Sequence, residues 1–273
     1  MAIITISRQV AALGDEIASA AAERLGYTFE DRKNIEKHIV KMGFPEEKLK
    51  KYDERKPGFF ASLAKDRDEY HAYLQTVILE AAEKNNVILI GRGASIILED
   101  IPHHIALRFV SADDVRRERL KKEFNWDDKK ANQRIEESDA NRLGFHKSFF
   151  NVDNADPVYY HVTLNTGILN IPQAVAQIEA LLKTLITPDV EELGKFKLGE
   201  QIKAQHLVNQ LVFNYHMNIN FLRAEISDNV LTLHGVSDSS AQAEKAVAVA
   251  GKLLVGYKIQ SAITVVQDYK AYP

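Results

Sequence analysis

The amino-terminal stretch MAIITISRQVAALGDEIASAAAERLG (residues 1–26) predicts a strand, a loop and a helix in direct succession. Ala2–Ser7 is a β-branched run typical of a strand buried on both faces. Gly14–Leu25 carries small and apolar residues at helical spacing. Between a strand and a helix N-terminus, parallel α/β sheets bind phosphate, because the helix offers unpaired N–H groups and its positive dipole end. The candidate residues around this loop are Ser7, Arg8, Gly14, Asp15 and Glu16.

This loop keeps only part of a phosphate-binding motif. A complete P-loop reads G-x-x-x-x-G-K-[ST], with lysine on the phosphates and a hydroxyl on the metal. Here Gly14 is retained, while Asp15 and Glu16 occupy the lysine and hydroxyl positions. Acidic groups repel a polyphosphate unless a cation or an arginine lies between them. The loop alone is therefore compatible with an ordinary strand-to-helix turn as well as with a phosphate site.

The following stretches alternate between short apolar runs and helical patterns, which indicates a parallel sheet with crossover helices. Further strands are predicted at Tyr27–Phe29, Val87–Ile90, Ile105–Val110 and Tyr159–Leu164, and helices at Asp31–Met42, Phe59–Lys84, Trp126–Phe150 and Pro172–Ile186. Ser111 and Asp114 form a capping-box pattern before a basic helix. The charged segment 41–56 predicts a mobile loop or short helices. Residues 1–186 are thus expected to form one α/β domain.

The pattern changes after residue 186. Residues 187–199 contain Pro188, Gly194 and a mixed run of charges, which predicts a linker. Residues 200–273 follow the order helix, strand, strand, helix, strand, with a hairpin turn at residues 227–229. A small α+β domain is expected there.

Several arginines are placed where a phosphate could meet them. Arg92 lies between Gly91 and Gly93 at the end of a predicted strand, and open α/β sheets bind ligands at that edge. Arginine offers a two-pronged donor that suits phosphate. Two further pairs of residues share helix faces at a spacing of three: Arg116 with Arg119, and Asp139 with Arg142. We expect the guanidinium groups of residues 92, 116, 119 and 142 to surround one anion-sized cleft.

Composition excludes several classes of protein. The 273 residues carry 35 basic and 38 acidic side chains, a net charge of −3, which argues against non-specific nucleic-acid binding. The absence of cysteine excludes disulfides, thiolate metal sites and thiol nucleophiles. No histidine pattern indicates a zinc site. With neither an export signal nor a membrane span in the pattern, a cytoplasmic protein is expected.

The chain from Ile3 to about Leu182 resembles the cytidylate-kinase-like proteins, within the P-loop nucleoside-monophosphate kinases. Six ordered segments carry the resemblance: ITISR with Gly14, Glu16, Ile17 and Ala18; LGYTFEDR (Leu25–Arg32); ILIGRGA (Ile88–Ala94); FVSADDVRRERL (Phe109–Leu120); IEESDANR (Ile135–Arg142); and LNTGILNI (Leu164–Ile171).

The resemblance implies transfer of the ATP γ-phosphoryl group to a nucleoside monophosphate, with Mg²⁺. By position, Arg92, Asp31 and Arg32 belong to the acceptor side. The lid and donor phosphates would be served by the arginines at 116, 119 and 142, and Asn165 would lie near the adenine. Such catalysis is mostly positioning and charge neutralisation.

The sequence departs from the family in its first loop. Val10-Ala11-Ala12-Leu13 replaces the glycine-rich segment, and Asp15 replaces the basic residue that follows the last glycine. We therefore hold two interpretations: a nucleoside-monophosphate kinase of low activity, or a catalytically impaired nucleotide sensor. A scaffold with no ligand is a third. Binding to ATP and to a monophosphate discriminates among them.

Residues 229–265 resemble a BON domain, an interaction module without catalytic residues. Gly235 and Gly256 match its two glycines, while Tyr257 replaces the usual valine. The resemblance implies a regulatory role, through a protein partner or a second copy of the chain.

Overall fold

The first strand lies at the centre of a parallel sheet. The structure, a computed structural model, describes residues 1–49, 52 and 64–266. In this part of the chain five strands form a sheet in the order β2-β3-β1-β4-β5, all parallel. They are β1 (Ile3–Arg8), β2 (Thr28–Glu30), β3 (Val87–Ile90), β4 (His104–Val110) and β5 (Val162–Asn165). The predicted strands are confirmed, with shifts of one to three residues at some ends.

Helices connect these strands and cover the sheet. They are α1 (Gly14–Leu25), α2 (Arg32–Lys41), α3 (Glu46–Leu49), α4 (Ala64–Glu83), α5 (Ala94–Ile97), α6 (Asp113–Phe124), α7 (Asp128–Phe150) and α8 (Ile171–Leu185). Ile4 and Ile6 of β1 are fully buried in the apolar core that α1 and α8 share with the sheet. Residues 59–63 of the predicted long helix lie outside the described residues, as do 50, 51 and 53–56 of the predicted loop.

Successive strands of this sheet are added first on one side of β1 and then on the other. β1 pairs with β3 on one side and with β4 on the other. A crevice therefore opens at the carboxyl ends of these three strands, where the strand order reverses and where open α/β sheets bind ligands.

Two local predictions in this sheet are corrected. The residue before α6 is Ala112, which has no capping side chain, so Ser111 is not a capping-box residue. The Ser111 backbone N–H instead donates to the Gln9 side-chain Oε1, at 3.0 Å. Strand β5 begins at Val162 because Pro157–Tyr159 forms a 3-10 turn, which Asp156 caps.

The predicted linker is helical. Residues 188–209 form one continuous helix, α9 (Pro188–Asn209). Pro188 occupies the first turn, where no backbone N–H is needed. Gly194 packs against the buried ring of His103, since a Cβ at that glycine would lie 1.9 Å from the ring Nδ1. Pro188 and Gly194, which are typical helix breakers, therefore both fit within α9.

The described residues divide into two units. Residues 1–49, 52 and 77–195 form the first, and residues 64–76 and 196–266 form the second. In the second, β6 (Asn220–Ser227) pairs antiparallel with β7 (Val230–Ser237), and β7 pairs parallel with β8 (Lys258–Val265).

The second unit has its own apolar core. Helix α10 (Ser240–Leu253) packs there with Leu231 and Leu233 of β7, both fully buried. Asp228 and Asn229 adopt left-handed conformations at the hairpin, as expected for its turn. The predicted α-β-β-α-β order is present. None of the helices in the described ranges is long and apolar enough to cross a bilayer.

Candidate functional site

In the loop after β1, two residues other than glycine adopt backbone conformations that favour glycine. Ala11 and Leu13 have φ of 57° and 53°, in the left-handed region that disfavours side chains. Each such residue costs about 1–2 kcal/mol relative to the right-handed form. Leu13 precedes α1 and provides no side-chain cap. The loop thus keeps a conformation suited to glycine at an energetic cost.

Arg8 lies across two glycines at the carboxyl edge of the sheet. A Cβ on Gly14 would lie 2.6 Å from the Arg8 Cγ, and a Cβ on Gly91 would lie 2.7 Å from its Nη1. The guanidinium group donates to the Asp15 carboxylate at 3.4 Å through both Nε and Nη2. Arg8 therefore partly neutralises the acidic residue that replaces the family's basic one.

Arg92 is buried at the end of β3. Three successive residues, Gly91 to Gly93, have positive φ. Arg92 is 3% exposed, donates from Nη1 to the Tyr52 carbonyl at 2.7 Å, and donates from Nη2 to the Glu36 carboxylate. Its Cζ lies 5.5 Å from the centroid of the Phe145 ring.

Arg142 of α7 lines the same cavity as Arg92. It donates from Nη1 to the Ser138 hydroxyl at 2.6 Å, and its carbonyl is bonded to the His146 ring. These groups line one cavity of about 20 Å³ together with Ile6, Ser7, Arg8, Gly91, Arg92, Gly93, Ser95 and Phe145. That volume is about what one water molecule needs, and the Phe145 ring forms part of its wall.

Of the four arginines expected around one cleft, Arg92 and Arg142 line the cavity, whereas Arg116 and Arg119 do not. Arg116, fully buried, donates from Nε to the Val10 carbonyl at 3.0 Å and pairs with both Asp139 oxygens at 2.9 Å. Arg119 donates to the Ala11 carbonyl at 2.9 Å. Both guanidinium groups therefore hold the loop through its backbone carbonyls, and neither lines the cavity.

Arg119 also fastens the turn after β5. It donates from Nη2 to the Thr166 carbonyl at 2.6 Å. Burial lowers the pKa of Arg119, while the nearby Glu16 carboxylate opposes that shift. Asn165 accepts from the Gly167 N–H at 2.9 Å and so shapes the same turn.

Apolar contacts complete the cover over the loop. Val10, Ala11 and Trp126 pack on a small cluster formed by α6 and α7, whose buried members are Leu120, Ala131 and Ile135. The helices that the resemblance identifies with a lid therefore lie closed on the loop.

Two predicted acceptor-side residues have local partners. Asp31 caps α2 by accepting from the Asn34 N–H at 2.8 Å. Arg32 donates from Nε to Glu36 at 2.6 Å. Arg32 is thus joined to Arg92 through a shared carboxylate, whereas Asp31 serves the helix start.

Sequence reasoning missed two charged residues near the cavity. Glu36 bridges Arg32 and Arg92. Arg108, 6% exposed, donates from Nη1 to the Ser7 hydroxyl at 3.0 Å, with its Cζ 5.5 Å from the Tyr160 ring centroid. In the sequence, Arg108 is marked only as a cation within the apolar run Ile105–Val110. Such a position indicates a specific partner, because burying an unpaired charge is costly.

The parallel five-stranded sheet with flanking helices and a strand-loop-helix opening matches the P-loop nucleoside-monophosphate-kinase type of α/β fold. Residues 3–168 match the model of the cytidylate kinase-like family. This match covers more than half of the 273 residues, and the chain belongs to that family.

Solved structures are similar to this chain at low sequence identity. An uncharacterized protein from Eubacterium ventriosum is 19% identical, with a TM-score of 0.54, over 67% of this chain and 99% of its own. A shikimate kinase from Bacteroides thetaiotaomicron is 16% identical, with a TM-score of 0.42, over 67% of this chain and 98% of its own. No curated protein matches the chain.

Proposed function

We propose that the protein is a nucleoside-monophosphate kinase of low activity, which transfers the ATP γ-phosphoryl group to an acceptor such as a cytidylate. The observation that carries this proposal is the convergence of Arg8, Arg92 and Arg142 on one cavity at the carboxyl edge of the sheet. In phosphoryl transfer, catalysis consists largely of positioning and neutralising phosphate charge, which arginines provide. Family membership supports the same reaction class.

On the acceptor side, this chain's residues bind and orient a phosphate monoester. Arg92 is anchored through the Tyr52 carbonyl, so its fork has a fixed direction. The Ser7 oxygen accepts from Arg108, which leaves the Ser7 hydroxyl proton free to donate to another acceptor. Arg142 belongs to α7, which lies closed on the loop, so it adds a positive charge to the cavity wall from a second element.

On the donor side, the residues fit a metal-bound nucleotide only partly. Asp15 and Glu16 offer carboxylates at the start of α1, and Mg²⁺ usually takes one or two carboxylates together with phosphate oxygens. In the described ranges, no three metal-ligating side chains lie close enough to hold an ion by themselves. Bound Mg²⁺ and ATP would supply the phosphoryl group and neutralise its charge. The strained path through Ala11 and Leu13 fits a polyphosphate less well than glycines do.

The test is phosphoryl transfer and its rescue. ADP formation from ATP is measured with each common nucleoside monophosphate, and slow turnover with at least one is expected. Asp15→Lys restores a cation beside the donor phosphates and should raise kcat about tenfold or more, since single charge-stabilising groups are worth 10²–10³. Asp189→Lys, the same change in the exposed first turn of α9, is the matched control and should leave kcat unchanged.

A second candidate is a nucleotide sensor that binds without turnover. The contacts of Arg116 and Arg119 with the Val10 and Ala11 carbonyls favour it, because they fix the loop in a closed conformation. The BON-like second unit would then report the bound state to a partner or a second copy. If nucleotides raise the melting temperature while neither the natural protein nor Asp15→Lys forms ADP, the sensor is supported and the kinase is rejected.

A further inference from the structure

Glu36 pairs with two arginines, one on its own helix and one far away in the chain. It lies in the middle of α2 with its side chain 19% exposed. One carboxylate oxygen accepts from Arg32 Nε at 2.6 Å and also from Arg92 Nη2. Arg32 is four residues earlier on the same helix, whereas Arg92 belongs to the cavity wall.

Arg92 needs an anion whether or not a ligand is bound. Its side chain is 1% exposed, and a buried charge without a partner is strongly unfavourable. Within the described residues its Nε has no hydrogen-bond partner, and its Nη1 is committed to the Tyr52 carbonyl. Glu36 therefore supplies the negative charge that Arg92 requires.

A carboxylate and a phosphate compete for the same donor. Both present oxygens that accept from a guanidinium fork. Nη1 of Arg92 is held by a backbone carbonyl, and Nη2, the other terminal nitrogen, is the one that Glu36 occupies. Arg32 offers the displaced carboxylate a charged partner on its own helix, at the favourable spacing of four residues. Displacement of Glu36 from Arg92 thus leaves neither charge without a partner.

Resting on the proposed function, we propose that Glu36 is an internal competitor that occupies the phosphate-binding fork of Arg92 and sets the affinity for the acceptor phosphate. Ligands that cannot outcompete a carboxylate are rejected, which favours phosphate monoesters, whose second negative charge strengthens their pairing with arginine. Glu36 is a specificity-determining residue that the motif alone does not identify.

The test compares Glu36→Gln with the natural protein by thermal-shift titration with CMP, and then with the other common monophosphates. Glutamine keeps the shape of the side chain and removes its charge. The unliganded variant should melt at a lower temperature because Arg92 loses its counter-charge, yet its Kd for the nucleotide should fall about tenfold, equivalent to about 1.4 kcal/mol. These opposite signs separate competition from a merely structural role.

The matched control is Glu179→Gln, which removes a carboxylate that pairs with an arginine, Arg24, away from the cavity. It should bind nucleotide like the natural protein. Glu36→Asp, which withdraws the charge by one methylene, should also bind more tightly and serves if the glutamine variant does not fold. Equal or weaker binding by the Glu36 variants, with the natural protein binding, overturns the competitor role. If none of the proteins binds a monophosphate, the proposed function itself fails, and this inference fails with it.

Discussion

At the scale of single residues, the loop after β1 is defined by backbone conformation. Ala11 and Leu13 keep left-handed φ values at positions where the family that the sequence resembles has a glycine-rich loop. The Ala11 carbonyl is held by Arg119, so the peptide cannot relax without losing that bond. Contacts from α6 and α7 thus stabilise a loop conformation that its own residues disfavour.

Ala11→Gly should therefore stabilise the protein. Glycine adopts the left-handed conformation without the Cβ penalty, and relief of about 1 kcal/mol is expected in the free energy of unfolding, measured by urea denaturation. Ala20→Gly in the middle of α1, where glycine is unfavourable, should destabilise by about 1 kcal/mol. Equal destabilisation by both variants would show that residue 11 is not strained.

The residues around the cavity were predictable only when a motif marked them. Arg92 stands between two glycines at a strand end. The sequence shows this pattern, and it suits phosphate binding because open α/β sheets bind ligands at that edge. Glu36 and Arg108 have no such marker, because their importance depends on contacts with Arg92 and Ser7, far away in the chain. Spacing also indicated that Arg116 lies near the loop, but it could not show that loop carbonyls would engage its guanidinium group.

At the scale of elements, one buried side chain joins two helices to the loop. Arg116 of α6 contacts the Val10 carbonyl, Asp113 in its own helix and Asp139 of α7. Hydrogen bonds to charged groups contribute more than neutral ones, and loss of one partner leaves the others unsatisfied. The position of α7, and hence of Arg142, depends on this contact.

Arg116→Met should lower the free energy of unfolding by about 2–3 kcal/mol, since several charge-assisted bonds are lost together. Arg117→Met is the matched control on the same helix. Arg117 is partly exposed and lies 3.6 Å from the exposed Asp128, so a change below about 0.5 kcal/mol is expected. Urea denaturation measures both, and similar losses for the two variants would contradict the buried role of Arg116.

Helix α9 shows that most of the segment predicted as a linker is helical. Pro188, Gly194 and mixed charge are typical of a linker when only the local sequence is considered. The glycine is instead required by the close approach of the His103 ring, a contact across 91 positions of the chain. Local patterns predicted the sheet well because a buried parallel strand is apolar by itself, whereas a glycine selected for packing looks like a helix breaker.

At the scale of the whole molecule, the chain combines a cytidylate kinase-like domain with a second, small α+β unit. The first has arginines 8, 92 and 142 around one cavity, and residues other than glycine in left-handed conformations in the loop after β1. We propose that these arginines bind the acceptor phosphate and that the loop limits turnover. The account depends on the first part of this statement, because without phosphate binding neither a kinase nor a sensor is possible.

Calorimetric titration of nucleoside monophosphates into the natural protein and into Arg92→Met tests that claim most directly. Arg24→Met, which removes an exposed guanidinium group on α1 away from the cavity, is the control. We predict that at least one monophosphate binds the natural protein and Arg24→Met equally, and that Arg92→Met binds it at least about tenfold more weakly, as expected for loss of a charged hydrogen-bonding group. Undiminished binding by a folded Arg92→Met protein would contradict the account.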